Sequence, residues 1–102
     1  MIGRRQFFVY IVMNASGTTL YTGVTSDILR RATQHSEGSG SDFSSRYRTT
    51  RLVYFEVHSE VREALLREKQ IKAWRREKKE ALIRSVNPLL EDLGSEAARQ
   101  MT

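Results

Sequence analysis

The 102-residue chain contains no cysteine and a single proline. Without cysteine it can form neither disulfide bonds nor thiolate metal sites, and a cysteine nucleophile is excluded. Its longest apolar run, Phe7–Met13, is interrupted by Tyr10 and is far shorter than the roughly 20 residues that span a bilayer. No long apolar segment follows the two arginines near the N-terminus, so we expect no secretory signal and predict a cytoplasmic protein without a membrane span.

Acidic residues are also scarce, with 12 against 17 lysines and arginines, which gives a net charge of +5. Residues 89–102 carry a net charge of −2, so the other 88 residues carry +7. A basic body indicates a polyanionic partner, because lysine and arginine displace counterions from phosphates. Charge alone leaves nucleic acid binding and an unspecific basic character equally open.

Three segments have the composition of strands. Residues 6–13, 20–24 and 52–57 are rich in aromatic and β-branched side chains, which predicts extended structure. The turn-forming sequence NASGT at 14–18 separates the first two, so we predict a hairpin. With the third segment it forms a predicted three-stranded antiparallel sheet.

Helical segments follow the second and third predicted strands. The capping residues Thr25–Asp27 begin a helix that runs to about His35. A long helix begins near Ser59, and a second one continues after a bend through Arg75–Val86. Asn87–Pro88 ends it, since the residue before a proline is pushed out of the α region.

These elements predict one α+β domain over residues 1–93, in which helices flank the three-stranded antiparallel sheet. The segment 36–45 is a loop by its serine and glycine content. We predict a flexible tail over 94–102.

Glu68 does not fit a plain core pattern. On a helical wheel, the residues Val61, Ala64, Leu65 and Ile71 form an apolar stripe, and Glu68 falls in its middle. A carboxylate there is costly to desolvate without a partner. Either it is a metal ligand or catalytic acid, or it is a buried ion pair with an arginine, or the edge of the stripe reaches water.

Two further pairs of residues are candidates for a site. Arg31 and His35 lie one turn apart on the inward flank of the first predicted helix. Tyr10 and Tyr21 lie on the two strands of the predicted hairpin, where tyrosine is also common for packing reasons. A functional role for these residues requires that all of them face one site.

Taken together, these residues resemble the GIY-YIG nuclease superfamily, in particular its short single-domain branch related to the nuclease domain of an excision-repair subunit. The resemblance covers roughly residues 6–93, and one departure is Val9 where many members have glycine. The matching segments, in chain order, are Val9–Ile11, Tyr21–Gly23, Arg31 with His35, Phe43–Tyr47 with Leu52–Glu56, Arg67–Lys72, and Leu82–Ile83 with Asn87–Pro88 and Asp92–Leu93.

The resemblance implies a metal-dependent endonuclease that hydrolyses phosphodiester bonds in DNA. In the family's scheme Tyr21 is the general base or its relay, and Arg31 supplies positive charge at the phosphate. Glu68 holds one Mg²⁺ or Mn²⁺ ion. Tyr10 and His35 orient the water and Tyr21.

The remaining expectations concern the surroundings of the site and the biological role. Gly23 and Asn87 are supporting residues. Predicted phosphate contacts are Arg46, Arg48, Arg51, Lys69, Lys72, Arg75 and Arg76, although the 75–79 run is also typical of a solvated helix face. We expect weakly sequence-specific or structure-specific cutting of DNA, with RNA still open, in repair or recombination. The alternative is a non-catalytic nucleic-acid-binding module, or an adaptor, that retains the nuclease fold.

Overall fold

The computed structural model describes residues 6–31 and 49–101. Strands β1 (Phe7–Asn14), β2 (Leu20–Thr25) and β3 (Thr49–His58) form one antiparallel sheet in the order β2-β1-β3. The predicted α+β fold with a three-stranded antiparallel sheet is therefore confirmed. The first strand is central, and β2 is an edge strand.

The central strand is buried on both faces of the sheet, which explains its nearly continuous apolar sequence. Alternate residues belong to two separate clusters. The first contains Val9, Ile11 and Met13 with Val53, Ala64, Ile71 and Ile83. The second contains Phe8, Tyr10 and Val12 with Ile28, Leu52 and Ala97.

The turn between β1 and β2 is held by side chains as well as by its backbone. Asn14 Oδ1 accepts a hydrogen bond from the Thr19 amide at 3.0 Å, and Gly17 adopts a φ of 77°. Arg76 donates to the carbonyl oxygens of Thr18, at 2.6 Å, and Gly17. These hydrogen bonds connect the hairpin turn to the helix that begins at Arg76.

Helices lie on both faces of the sheet. Helix α1 begins at residue 28 and is described to residue 31; Asp27 caps it by accepting a hydrogen bond from the Arg30 amide at 3.1 Å. Helix α2 (Val61–Ala73) packs mainly on β1 and β2, and helix α3 (Arg76–Val86) follows after a break. In the described part of the chain, every helix is too short or too polar to cross a membrane.

The C-terminal segment differs from the predicted flexible tail. Helix α4 (Gly94–Met101) packs on the sheet through Ala97, which is completely buried. The Asp92 carboxylate accepts hydrogen bonds from the amides of Leu52 and Gly94, at 3.2 and 3.1 Å. These bonds join the start of α4 to β3, a long-range contact that the local polar composition does not indicate.

Candidate active site

Tyr10 lies in the middle of β1, and its ring crosses over Gly23 of the neighbouring edge strand. The two residues are partners in the β1–β2 register. A Cβ atom placed on Gly23 would lie 2.5 Å from the Tyr10 Oη and 2.7 Å from its Cζ. Both distances are too short for non-bonded atoms, so any side chain at position 23 would displace the ring. Because Gly23 has none, the Tyr10 hydroxyl reaches toward the outer edge of the sheet.

Tyr21 lies beside Tyr10 on the same face of the sheet. The two ring centroids are 6.3 Å apart, and the ring planes are inclined by 53°. Tyr10 is only 2% exposed, whereas Tyr21, on the edge strand, is partly exposed. The Tyr10 side chain is therefore shielded from water, whereas the Tyr21 side chain is accessible to water.

Arg31 reaches the tyrosine pair from helix α1. Ile28 is fully buried in the cluster that contains Tyr10, and this anchors the start of the helix on that face. Arg31 lies one turn later and is partly exposed. Its positive charge acts on Tyr10 and favours the ionised form of that phenol, so the two groups are close neighbours.

Glu68 approaches from the opposite side of the sheet. It lies between Ala64 and Ile71, the two α2 residues buried against the sheet, and its side chain is 18% exposed. The Glu68 Oε2 lies 3.0 Å from the Lys72 Nζ on the next turn of the helix. The sequence analysis left open a buried ion pair between Glu68 and an arginine. Among the described residues Glu68 pairs with no arginine, and its partner is Lys72, whose side chain is half-exposed.

Burial and three neighbouring groups act on the pKa of Tyr10. Burial raises it well above its ordinary value; the neighbouring Tyr21 and Glu68 raise it further, and Arg31 opposes them. The Tyr10 ring lies in the cluster on one face of the sheet, and the buried α2 residues on either side of Glu68, Ala64 and Ile71, lie in the cluster on the other face. Tyr21, Arg31 and Glu68 are thus each near enough to Tyr10 to act on its charge, and burial favours the protonated form of Tyr10.

The structure also contains a polar network that the sequence analysis missed. Glu56 on β3 accepts a hydrogen bond from the Tyr54 hydroxyl, and its Oε2 lies 2.9 Å from the Arg67 Nε and 2.7 Å from the His58 Nε2. The signal was available as Tyr54, Glu56 and His58 at alternate positions of one strand, hence on one face. Because Arg67 precedes Glu68 in α2, the network fixes the helix that carries the site's carboxylate.

The ionisation of this network follows from its hydrogen bonds. Burial acts to raise the pKa of Glu56, but hydrogen bonds from Tyr54, Arg67 and His58 outweigh it and lower the pKa. Burial and the bond to Glu56 raise the pKa of Tyr54 to about 12. The carboxylate therefore stays charged and the phenol neutral across the physiological range.

Two of the predicted phosphate-contacting arginines make intramolecular hydrogen bonds. Arg51 donates to the carbonyl oxygens of Leu90 and Asn14, at 3.1 and 3.3 Å. Arg76 holds the β1–β2 turn and also lies 2.6 Å from Glu80. Both guanidinium groups connect distant parts of the chain, which their sequence positions did not reveal.

The other predicted residues differ in how far the structure describes them. Lys69 and Arg75 are exposed near the end of α2. His35, Arg46 and Arg48 lie outside the described residues.

Asn87 has a structural position rather than one at the tyrosine pair. It is 5% exposed, and its Nδ2 donates to the carbonyl oxygens of Val53 and Glu91, at 3.0 and 2.9 Å. Its Oδ1 accepts a hydrogen bond from the Glu91 amide at 3.0 Å. Asn87 thereby joins the end of α3 to β3 and shapes the following turn.

The donor set suits a hard divalent cation. Across residues 6–31 and 49–101, no three His, Cys, Asp or Glu side chains gather as a metal site. Mg²⁺ is commonly bound through one or two carboxylates together with waters and substrate phosphates, so the single Glu68 carboxylate fits such an ion. Its oxygen already faces a cation, the Lys72 ammonium at 3.0 Å.

Comparison with known proteins establishes the family. The GIY-YIG catalytic domain model matches residues 6–81. UPF0213 proteins of two Staphylococcus aureus strains, Mu3 and Mu50, are each 42% identical over 77 residues, which cover 76% of this chain and 93% of each relative. The solution NMR structure of a UPF0213 protein from Bacillus halodurans is 32% identical, with a TM-score of 0.53 over 80% of this chain and 86% of that one.

The chain therefore belongs to the GIY-YIG family, and it is similar to the UPF0213 proteins, a short single-domain branch of that family.

Proposed function

We propose that this protein is a metal-dependent endonuclease that hydrolyses phosphodiester bonds in DNA. The observation that supports the proposal is the set of groups around Tyr10: its ring lies over Gly23 and beside Tyr21, and the charges of Arg31 and Glu68 both act on it. Two phenols, one cation and one carboxylate are the groups needed to activate a water and to neutralise charge at phosphorus.

The two tyrosines are suited to different tasks. Tyr21 is partly exposed and so meets the attacking water, from which it takes a proton as general base. As a base Tyr21 would act in its phenolate form, and Arg31, whose charge acts on the neighbouring Tyr10, supplies positive charge beside the pair. Tyr10 keeps its proton because burial raises its pKa, and it therefore acts as a hydrogen-bond donor that orients the water or Tyr21.

Charge at the phosphate is balanced by Arg31 and by the ion that Glu68 would hold. A bound Mg²⁺ or Mn²⁺ supplies positive charge to the phosphate oxygens and makes water more acidic. The planar guanidinium of Arg31 matches two phosphate oxygens and stabilises the additional negative charge as the P–O bond to the leaving group breaks. The Glu56–Arg67 bond of 2.9 Å keeps α2, and hence Glu68, in place against the sheet.

The substrate surface is proposed at the end of α2, where Lys69, Lys72 and Arg75 are exposed. Such side chains contact phosphates and position the duplex without reading its sequence. Arg51 and Arg76 contribute there less directly, because their hydrogen bonds stabilise the loops beside the sheet. We therefore propose structure-specific or weakly sequence-specific cutting, with repair or recombination as the setting.

The test is a cleavage screen with Mg²⁺ or Mn²⁺ on single-stranded, nicked, flapped and branched DNA, with matched RNA substrates alongside. We expect cleavage of at least one branched or nicked DNA, and its loss in both Tyr21→Phe and Glu68→Gln. Each variant keeps side-chain volume, so circular dichroism should show an unchanged fold. If the parent protein binds these substrates but cuts none with any divalent ion, the non-catalytic binding module replaces the enzyme.

A further inference from the structure

The carboxylate expected to hold the metal ion already has a cationic partner on its own helix. Glu68 and Lys72 are spaced i and i+4, with the glutamate nearer the N-terminus, which is the favourable order for such a pair. Lys72 Nζ lies 3.0 Å from Glu68 Oε2. A divalent cation that binds this oxygen must displace the ammonium or share the oxygen with it.

The two members of the pair differ in their freedom to move. The Glu68 side chain is 18% exposed and is held between buried residues of α2, whereas that of Lys72 is 50% exposed. A lysine carries a compact charge on a flexible four-carbon stem, so it can leave the carboxylate without disturbing the helix. The half-exposed lysine, rather than the glutamate, is therefore the member that moves.

Resting on the function proposed above, we propose that Lys72 is an exchangeable counterion of Glu68. In the protein without DNA, the Lys72 ammonium holds the carboxylate and weakens its affinity for a divalent cation. When a backbone phosphate arrives, the ammonium transfers to the phosphate and leaves Glu68 to the metal ion. Lys72 is thus a positioning residue that couples metal binding to DNA binding.

This exchange has a thermodynamic consequence. If DNA raises the affinity for the metal ion through Lys72, the metal ion must raise the affinity for DNA by the same factor. The Lys72 contribution adds to any direct contact between phosphate and metal ion, so removal of Lys72 reduces the coupling without abolishing it. The site would then bind the metal ion more tightly when substrate is present.

The neighbouring Lys69 provides a matched control. It lies on the same helix next to Glu68 and carries the same charge, but it is exposed and forms no ion pair with any described residue. Lys72→Met and Lys69→Met therefore each remove one positive charge and keep a long side chain. Only the Lys72 substitution removes an ammonium group that contacts the Glu68 oxygen. If Lys72 exchanges directly with the metal ion, the two variants should differ in their affinity for Mn²⁺. If only the total positive charge matters, their affinities should be equal.

The first measurement is Mn²⁺ binding to the protein without DNA, followed by electron paramagnetic resonance of the free ion. Exposed i, i+4 ion pairs are weak, so we expect Lys72→Met to bind Mn²⁺ about two- to five-fold more tightly than the parent. Lys69→Met should change the affinity by clearly less. Equal effects of the two variants would overturn the exchange.

The second measurement is DNA affinity with and without Mn²⁺, on a short duplex with phosphorothioate linkages that resist cleavage. The gain in affinity on adding Mn²⁺ should be smaller in Lys72→Met than in Lys69→Met, and equal gains would contradict the coupling. Glu68→Gln separates the two proposals. If it binds Mn²⁺ as the parent does, the metal role of Glu68 fails; if it loses Mn²⁺ binding while the two lysine variants behave alike, only the exchange fails.

Discussion

Gly23→Ala is the substitution whose effect can be worked out most directly from the structure. Alanine in place of glycine in a strand normally stabilises by roughly 0.5–1 kcal/mol, because glycine loses more conformational freedom on folding. Here the added Cβ would lie 2.5 Å from the Tyr10 Oη and 2.7 Å from its Cζ. The Tyr10 ring is 2% exposed, so it has no open space into which to move.

Overpacking of this kind costs about 1–3 kcal/mol, which exceeds the normal gain from alanine. We therefore expect Gly23→Ala to lower the free energy of unfolding by roughly 1–2 kcal/mol. For a domain of this size that corresponds to a fall in Tm of about 4–16 °C. Urea unfolding followed by far-UV circular dichroism measures the change, and the slope with denaturant should stay constant.

The second half of this prediction uses Tyr10→Leu, which removes the hydroxyl oxygen and the ring carbon nearest to Gly23. In that background the collision is relieved, and Gly23→Ala should be neutral or should stabilise by up to about 0.5–1 kcal/mol. The effect of one substitution thus changes sign with the residue across the strand. An equal loss of stability in both backgrounds would refute the close approach of Tyr10 to Gly23.

Three further predictions concern charge. Glu68→Gln should lower metal-dependent cleavage by about 10²–10³-fold or more while DNA binding, measured by fluorescence anisotropy, is kept, and cutting at the parent rate would contradict the metal role. Burial acts to raise the pKa of Glu56, but the hydrogen bonds to its carboxylate outweigh burial and hold the pKa below 4.5 in the folded protein. The Glu56 carboxylate therefore contributes its full stability above pH 4.5, and this contribution falls as the pH drops further. Glu56→Gln should flatten this acid-dependent loss in urea titrations at several pH values, and an unchanged profile would count against the network. Burial and Glu56 raise the pKa of Tyr54 from 10.0 to about 12, so its contribution is complete below pH 10 and is lost as the pH rises toward 12. Tyr54→Phe should remove that alkaline loss in thermal scans.

The strands were predictable because their pattern is local. Aromatic and β-branched residues concentrate in Phe7–Asn14, and the turn sequence that follows permits only a short connection. The sequence therefore predicted the hairpin that carries Tyr10 and Tyr21 on its two strands, but not the pairing of Tyr10 with Gly23. Their catalytic roles remain a prediction, because proximity alone does not show turnover.

The face of α2 was predicted only in part. Ala64 and Ile71 are buried as expected, but Val61 and Leu65 are 49% and 48% exposed. Helical periodicity gives the direction of an apolar stripe but not how far the sheet extends beneath it. The buried strip of the helix is therefore narrower than predicted, and on the flank opposite to Val61 and Leu65 Arg67 binds Glu56, a residue on another element.

The basic residues were the least predictable part of the candidate site. An arginine in the sequence looks the same whether it faces solvent or binds a carbonyl oxygen 39 positions away, as Arg51 does with Leu90. The same limit applies to Asn87, whose side-chain hydrogen bonds to Val53 and Glu91 depend on the packed arrangement of α3 and β3. Long-range hydrogen bonds of this kind carry no local sequence signal.

The division of the candidate site between a local hairpin and a distant helix has a consequence for how the protein comes into being. Tyr10, Tyr21 and Gly23 lie on one hairpin, whereas Glu68 follows Tyr21 by 47 residues. Domains emerge from the ribosome N-terminus first, and contacts between distant residues form late because closing a long loop costs entropy. The newly made hairpin thus carries both phenols without the carboxylate that would hold a metal ion. Glu68 joins the two tyrosines only after α2 docks on the sheet, so a partly folded chain does not contain the complete candidate site.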